Sequence, residues 1–203
     1  SASQTIGSCL EKGNIVIYES TVYPGATEEV CVPILEEISG LEYNKGFFYG
    51  YSPERINPGD KVNTLINIKK ITSGSNAKAA KFVESLYNRI IEAGVFPASS
   101  IAVAEAAKVI ENTQRDVNIA LANELSEYCE QIGVNYWDAR KGANSQPYCH
   151  LHYPGTGVGG LCIPVYPKFV IESSKKIGKH VKLIEYSRKI NDQKPKKCVQ
   201  DAL

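Results

Sequence analysis

A proline-free segment of helical periodicity is the feature that most constrains the fold of this chain. Residues 99–133 read SSIAVAEAAKVIENTQRDVNIALANELSEYCEQIG, with Ser100 as a candidate N-cap and Gly133 as a candidate stop. The apolar residues that recur at spacings of four and seven are Val103, Ile110, Val117, Leu121 and Leu125. A helix of about 30 residues greatly exceeds the mean of about 11–12 in globular domains. We therefore expect a spine between domains or between subunits.

The segment that precedes this helix has the pattern of an α/β sheet. Short apolar runs in NIVIYES, FFYGY and NIKKITSG suit buried strands. TEEVCVPILEEIS suits a helix, with Glu28 and Glu29 in its first turn and Pro33 expected to bend it. The order strand–helix–strand–loop–strand over residues 1–75 predicts an α/β fold.

From Asn76 onward the predicted elements are helices. NAKAAKFVESLYNRIIEAG has Asn76 as a candidate cap and carries Phe82, Leu86 and Ile90 on one face. Further helices are expected in NYWDARKGAN, in PVYPKFVIESSKKIG and in the C-terminal segment, where Pro195 predicts a kink or break. Residues 76–203 are therefore predicted to form an all-helical domain.

Charge and cysteine content argue against several classes of protein. The 23 Lys and Arg residues nearly balance 22 Asp and Glu residues, which disfavours a broad nucleic-acid-binding face. No apolar run approaches the roughly 20 residues of a membrane helix, and no signal peptide is evident. The six cysteines are irregularly spaced, which favours reduced thiols in the cytoplasm. Cys149, His150 and His152 lack a further ligand pair, so no metal site is expected.

Lys108, Asn112 and Arg115 share one face of the predicted long helix, because they are four and three residues apart. Together they could present an ammonium and an amide to an oxyanion, with a guanidinium beside them. A solvated helix face is the alternative, and spacing alone favours it.

Glu54 and Arg55 follow a predicted strand in YSPERINPG, at the kind of position where α/β sheets bind ligands. Glu54 could serve there as a general base. A simple ion pair within the loop explains the two residues equally well.

Cys162 lies in the Gly- and Pro-rich stretch GVGGLCIPVYP. Gly157, Gly159 and Gly160 permit positive φ or close approach of a ligand to the backbone. Pro164 suits the first turn of a helix, so Cys162 is expected near a helix N-terminus, which favours the thiolate. The alternative is a small apolar residue in a tight turn, which is also our interpretation of the other five cysteines.

Four motifs in this order resemble the UDP-glucose/GDP-mannose dehydrogenase family: ESTVYPGATEE, YSPERINPGD, VAEAAKVIENTQRDVNIALANEL and PGTGVGGLCIP. The resemblance implies that residues 1–75 end a Rossmann-like parallel sheet that binds NAD. It implies that residues 76–203 form a central domain that makes a homodimer through the long helix. The family's G-x-G-x-x-G fingerprint would precede Ser1, and its C-terminal domain would follow Leu203. Because methionine is also absent, we expect a fragment.

The resemblance also implies a reaction, the NAD-dependent four-electron oxidation of the 6-hydroxyl of a UDP-N-acetylhexosamine. The expected sugar is N-acetyl-D-mannosamine. Cys162 would hold the aldehyde as a thiohemiacetal and then a thioester, Lys108 and Asn112 would stabilise the oxyanion, and Glu54 would act as a base or orient water. Thr21 would lie near the nicotinamide. The implied substrate contacts are Arg55, Ile56, Arg115, Gly159 and Gly160.

The chain departs from the family pattern beside the cysteine. Leu161 stands where the N-acetylhexosamine branch has histidine, and Tyr166 stands where it has an aspartate that helps to hold the thiol and water. Gln146 and Tyr148 stand where the mannosamine branch has histidine and arginine. Alternatives are therefore a non-catalytic helical dimerisation module and, among enzymes, a UDP-N-acetylglucosamine, UDP-glucose or GDP-mannose 6-dehydrogenase.

Overall fold

The computed structural model describes residues 1–57 and 59–203, which form two compact units, Ser1–Lys108 and Val109–Leu203. Pro58, in the predicted Pro- and Gly-rich loop, lies outside the described residues. The first unit contains α1 (Ala2–Gly7), β1 (Ile15–Tyr18), a π-helical turn (Thr27–Cys31), α2 (Val32–Ser39), β2 (Phe48–Tyr51), β3 (Lys70–Gly74), α3 (Ala77–Asn88), β4 (Val95–Pro97) and the start of α4 (Ile101–Gln131). The second contains the rest of α4, α5 (Tyr136–Ala143), α6 (Tyr166–Lys176) and α7 (Lys182–Ala202). The domain boundary expected after residue 75 stays a prediction.

The sheet of the first unit has the order β1-β2-β3-β4. β1 runs parallel to β2 and β3 runs parallel to β4, whereas β2 and β3 are antiparallel. The α/β prediction is confirmed, and the expected parallel sheet carries one antiparallel pair. As a result, the carboxyl ends of β1 and β2 and the amino end of β3 lie at the same edge of the sheet.

Apolar residues on one face of the sheet form the core of the first unit. Phe47, Tyr49 and Tyr51 alternate along the chain, so they point to that face. Leu35 of α2 and Ile101 of α4 belong to the same buried cluster. The start of the long helix is thus part of the core of the sheet-containing unit.

The type of helix changes at Val32, one residue before Pro33, in TEEVCVPILEEIS. The segment begins as the π-helical turn, closed by a hydrogen bond from the N–H of Val32 to the carbonyl of Thr27. α2 starts at Val32, which places Pro33 in its first turn, where an α-helix needs no N–H donor. α2 ends at Ser39 and is capped by Gly40, which adopts a left-handed conformation with φ 69°.

α3 packs through its small residues rather than its large ones. The cap is confirmed, because Asn76 Oδ1 accepts a hydrogen bond of 2.9 Å from the N–H of Ala79. Ala79 and Val83 are buried, while the predicted apolar face stays largely exposed. The exposed face consists of Phe82, Leu86 and Ile90. Small side chains are needed because α3 approaches β3 closely: a Cβ on Gly74 would lie 2.2 Å from the backbone nitrogen of Ala80.

The long helix is confirmed, and it buries polar as well as apolar residues. α4 runs over 31 residues, and Ser100 Oγ accepts a hydrogen bond from the N–H of Val103. Ile110 and Leu121 of the predicted apolar stripe are 63% and 45% exposed. The buried polar residues of the helix include Glu105, Lys108, Asn112, Asp116 and Asn123. Partners for these groups are required, because burying an unpaired charge or amide is costly.

In the second unit, Asp116 is the point at which α7 is fixed to α4. Its Oδ1 accepts hydrogen bonds from Arg188 Nη1 at 2.5 Å and from Asn191 Nδ2 at 2.8 Å. All three residues are buried. Burial raises the pKa of Asp116, and the Arg188 charge opposes this rise. α7 continues through Pro195, so of the predicted kink or break the break does not occur, and the kink stays a prediction. Among the described helices, none combines the length and apolarity needed to cross a membrane.

Two glycine-to-alanine substitutions should change stability in opposite directions. Gly74→Ala should lower the free energy of unfolding by about 1–3 kcal/mol, because its Cβ would meet backbone atoms that cannot rotate away. In Gly142→Ala, in α5, the added Cβ would have no atom within 4 Å. This substitution should raise the free energy of unfolding by about 0.5–1 kcal/mol, because alanine loses less conformational entropy in a helix than glycine. Urea unfolding followed by far-UV circular dichroism and by the fluorescence of Trp137 measures both. A stabilising Gly74→Ala would contradict the close packing of α3 on β3.

Candidate active-site residues

Two of the predicted site residues of the first unit, Thr21 and Glu54, lie at the edge where β1 and β2 end. Thr21 follows β1 and Glu54 follows β2. The two loops run side by side, because Ser52 N donates to the carbonyl of Tyr18 at 2.9 Å and Glu54 N donates to the carbonyl of Glu19 at 3.2 Å. Ligands bind at such an edge in open α/β sheets. The structure therefore brings Thr21 and Glu54 to neighbouring loops.

The carboxylate of Glu54 is oriented by its own loop. Oε1 accepts hydrogen bonds from the backbone N–H groups of Arg55 and Ile56 at 2.6 and 2.8 Å. Arg55 Nη1 donates to the carbonyl of Lys69 at 2.6 Å, which ties the guanidinium to the start of β3. The Glu54 side chain remains 47% exposed, so it can still meet a ligand or water.

Lys70 is a member of this cluster that the sequence did not single out. It is buried at the start of β3, with Nζ 3.3 Å from Glu19 Oε1 and 4.0 Å from Glu54 Oε2. It also donates to the carbonyl of Pro53 and lies 5.0 Å from the centre of the Tyr87 ring. A lysine inside a predicted strand is the signal that could have identified it, since lysine is seldom buried without partners.

Lys108 and Asn112 are one turn apart on α4, and both are almost fully buried, at 8% and 3% exposed. Burial does not fit the alternative of a solvated helix face. Lys108 is the last residue of the first unit, and Asn112 lies in the second. Arg115, one turn beyond Asn112, is half-buried.

Cys162 presents an exposed thiol in a turn before α6. Its carbonyl accepts hydrogen bonds from the N–H groups of Val165 and Tyr166 at 3.1 and 3.0 Å. α6 begins at Tyr166 with Pro167 in its first turn, so the helix starts later than Pro164 predicted and Cys162 precedes it. The helix dipole therefore acts on the thiol from a greater distance than expected.

The glycines before Cys162 differ in what they do. Gly157 and Gly160 have φ of 147° and 89°, which confirms the predicted positive φ at these two positions. A Cβ on Gly157 would lie 2.8 Å from Pro195 Cγ, so the loop also depends on glycine to pass α7. Gly159 has no atom within 4 Å of an added Cβ, which leaves its backbone accessible.

Three asparagines brace the segment that leads to the Cys162 loop. Asn118 donates to the carbonyl of His150 and accepts from the N–H of His152, at 2.9 and 3.2 Å. Asn144 makes the same pair of contacts with the backbone of Leu151. Asn123 Oδ1 accepts from the N–H of Gly155 at 2.9 Å. The segment has no regular structure of its own, so these side chains determine its path.

His152 lies close to two arginines. Arg140 Nε donates to the carbonyl of His152 at 3.0 Å, and its guanidinium stacks on the Tyr153 ring at 3.7 Å. Burial, together with the charges of Arg115 and Arg140, lowers the pKa of His152. A neutral imidazole flanked by two cations suits an anionic ligand.

The described residues contain no cluster of His, Cys, Asp and Glu that could hold a metal ion, and all six cysteines are free. The site residues fall into two sets. Those of the first unit are Thr21, Glu54, Arg55, Ile56 and Lys108; those of the second are Asn112, Arg115, Gly159, Gly160 and Cys162.

Family models match nearly all of this chain. Residues 1–91 match the NAD binding domain of the UDP-glucose/GDP-mannose dehydrogenase family, and residues 102–193 match the central domain of the same family. A UDP-N-acetyl-D-glucosamine 6-dehydrogenase from Pseudomonas aeruginosa is 55% identical over 94% of the chain and 45% of its own length. A UDP-N-acetyl-D-mannosamine dehydrogenase from Pyrococcus horikoshii is 38% identical over 96% of the chain and 45% of its own length.

A solved structure of the UDP-D-ManNAc dehydrogenase from Pyrococcus horikoshii has the same fold. It superposes with a TM-score of 0.90 at 36% identity, over 98% of this chain and 46% of that one. The chain thus spans slightly less than half the length of the relatives it matches.

His152 should make stability depend on pH. Its lowered pKa means that, below about pH 6.5, the unfolded chain binds a proton more readily than the folded chain. The free energy of unfolding should therefore fall as the pH falls from about 6.5 through the lower pKa of the folded state. His152→Gln should make the free energy of unfolding depend less on pH in this range, whereas His150→Gln, at an exposed position, should leave the dependence unchanged. Urea unfolding with Trp137 fluorescence measures the dependence for each protein. Equal slopes for all three proteins would contradict the burial of His152.

Proposed function

This chain belongs to the UDP-glucose/GDP-mannose dehydrogenase family, and we propose that it forms part of an NAD-dependent enzyme that oxidises a UDP-N-acetylhexosamine at C6 to the uronate. The observation that carries the proposal is the burial of Lys108 and Asn112 on one turn of α4. A solvated helix face would leave an ammonium and an amide in water, whereas an oxyanion site needs such donors shielded from water.

The cofactor fits the first unit. Thr21 lies at the carboxyl edge of the parallel pair β1 and β2, where α/β sheets bind dinucleotides. When bound, NAD supplies the acceptor for a hydride, and two NAD molecules are needed for the four electrons. Thr21 would contact the nicotinamide and keep it against this edge.

The residues of the chain would act in sequence on the sugar. Lys108 and Asn112 would donate hydrogen bonds to the C6 oxygen while its proton passes to Glu54, acting as the base, or to water and the hydride of C6 passes to NAD, which gives the aldehyde. Cys162 Sγ then adds to the aldehyde carbon to form a thiohemiacetal, whose oxidation by loss of a second hydride gives a thioester. Water cleaves the thioester, which releases the uronate and restores the thiol. Glu54 serves as a base or orients the water.

The remaining predicted contacts would bind the nucleotide sugar. Arg115, with Arg140 and neutral His152 nearby, offers cationic and hydrogen-bonding groups for the diphosphate. Gly159 and Gly160 offer backbone N–H groups, and Arg55 and Ile56 offer contacts beside Glu54. Tyr166 packs its ring on that of Phe169 at 5.7 Å and cannot take the part of a carboxylate near the thiol.

Two observations point to different sugars. The motifs in the sequence favoured N-acetyl-D-mannosamine. The higher identity to a relative named for N-acetyl-D-glucosamine, 55% against 38%, favours the glucosamine epimer instead. We therefore propose UDP-N-acetyl-D-glucosamine as the first substrate to test, with UDP-N-acetyl-D-mannosamine, UDP-glucose and GDP-mannose as the comparison panel.

The ratio of NADH formed to sugar consumed should identify the role of Cys162. The assay uses the complete polypeptide that carries these 203 residues. The unchanged protein should form two NADH per sugar, while Cys162→Ser should form no more than one, because no thioester can be made. Cys9→Ser, at the other exposed cysteine, should keep the ratio of two. No turnover on any sugar of the panel would reject the dehydrogenase in favour of a non-catalytic dimerisation module.

We further propose that the chain forms a homodimer through α4. The exposed apolar side chains of α4 border a groove of about 420 Å³ in the second unit. Its lining residues are Ile110, Thr113, Gln114, Val117, Asn118, Leu121, Val170, Leu183 and Ile184. A second copy of the chain would cover this surface and remove its apolar side chains from water.

Leu121→Asp should therefore convert the dimer into a monomer. A charge in the centre of an apolar interface would be buried without a partner. Sedimentation equilibrium should give twice the chain mass for the unchanged protein and for Glu124→Ala, at an exposed position one turn away, and a single chain mass for Leu121→Asp. A monomeric unchanged protein at high micromolar concentration would contradict the proposal.

A further inference from the structure

The carboxylate of Glu105, on α4, is completely buried and receives three hydrogen bonds from a distant loop. Oε2 accepts from the N–H of Gly25 at 2.6 Å. Oε1 accepts from the N–H of Thr27 at 3.0 Å and from Thr27 Oγ1 at 2.6 Å. All three residues lie within the first unit, although Glu105 is about 80 residues along the chain from its partners.

The contact has a clear physical basis. Gly25 and Thr27 lie where the helical segment that leads into α2 begins, and its N-cap, Ala26, provides no side-chain acceptor. The first N–H groups of a helix need acceptors, and the positive end of the helix dipole favours an anion. Glu105 supplies the acceptor and the anion from α4. The three hydrogen-bond donors that it receives offset the cost of burying its carboxylate.

This contact joins two segments to which the proposed function gives roles. The loop from Thr21 to Thr27 follows β1 and begins with the residue that would contact the nicotinamide. Lys108 lies three residues after Glu105 on α4, about 4.5 Å further along the helix axis. The turn within the loop is itself closed, because Ala26 N donates to the carbonyl of Tyr23 at 3.0 Å. Loss of the hydrogen bonds to Glu105 would therefore allow this loop to move relative to α4 and to Lys108 on it.

We propose that Glu105 is a positioning residue of the dehydrogenase. It fixes the loop that carries Thr21 against the helix that carries Lys108, so that the hydride acceptor and the oxyanion donor keep a constant separation. The inference rests on the proposed function. It assigns to Glu105 no contact with substrate or cofactor, and it predicts that its loss slows hydride transfer more than it weakens binding of the sugar.

Four substitutions in the complete polypeptide test the inference. Glu105→Gln keeps the shape but turns an NH₂ group toward the N–H donors. Thr27→Val removes the hydroxyl donor, while Thr27→Ser retains it. Glu124→Gln changes an exposed carboxylate on the same helix and serves as the control. For each protein we would measure the melting temperature, kcat, KM and the isotope effect with the C6-dideuterated sugar.

Glu105→Gln should lower kcat by at least about tenfold, because misplacement of reacting groups by about 1 Å costs up to about a hundredfold. KM for the sugar should stay within about twofold, and the isotope effect on kcat should rise. Thr27→Val should show a smaller effect in the same direction, and Thr27→Ser and Glu124→Gln should match the unchanged protein.

A purely structural role gives a different result. Glu105→Gln would then melt at a lower temperature but, assayed well below that temperature, would keep kcat and the isotope effect, which would overturn the inference alone. If Glu105→Gln does not fold, equal kcat and isotope effects for Thr27→Val and Thr27→Ser would overturn it. An unchanged protein without turnover would reject the proposed function and this inference with it.

Discussion

Burial of polar side chains along α4 is the constraint on which the rest of the structure depends. Glu105 anchors the helix in the first unit by accepting three hydrogen bonds from the loop before α2. Asp116 anchors α7 in the second unit through Arg188 and Asn191. A buried charge that loses its partner is strongly destabilising, so each contact permits one arrangement of its neighbours and penalises others. α4 thus determines the position of elements far from it in sequence.

The proposed chemistry uses segments that this helix supports. Asn118 and Asn123, also on α4, hold the backbone of the irregular segment before the Cys162 loop. In the first unit, Glu54 is oriented by backbone N–H groups of its own loop, and Lys70 lies behind it. Irregular loops can carry reactive groups only if their backbones are restrained, and here amides and carboxylates supply the restraint.

Much of the fold was predictable because it depends on local signals. Asn76 caps α3 as expected, α4 extends over nearly the full proline-free segment, and three short apolar runs became strands. Local signals did not predict which side chains of a helix are buried within the chain. Phe82 of α3 and Ile110 and Leu121 of α4 are exposed. Ala79 and Val83 of α3 are buried where the helix approaches the sheet, and α4 buries polar as well as apolar residues. Apolar periodicity identifies a helix but does not say what covers each side.

The sequence by itself determined most of the element types, the family and the identities of Cys162, Lys108, Asn112 and Glu54 as candidate catalytic residues, because motif spacing and capping depend on residues close in the chain. It did not predict β4, which lies among residues expected to form only helices and which pairs with the distant β3. Only the tertiary structure revealed that Lys70 lies beside Glu54 and that Glu105 receives the loop at Gly25 and Thr27. These contacts join residues 16 to about 80 positions apart. Their partners are mostly backbone groups and common charged side chains, which leave no periodic or motif signal in the sequence. Folding alone brings them within ion-pair or hydrogen-bond distance.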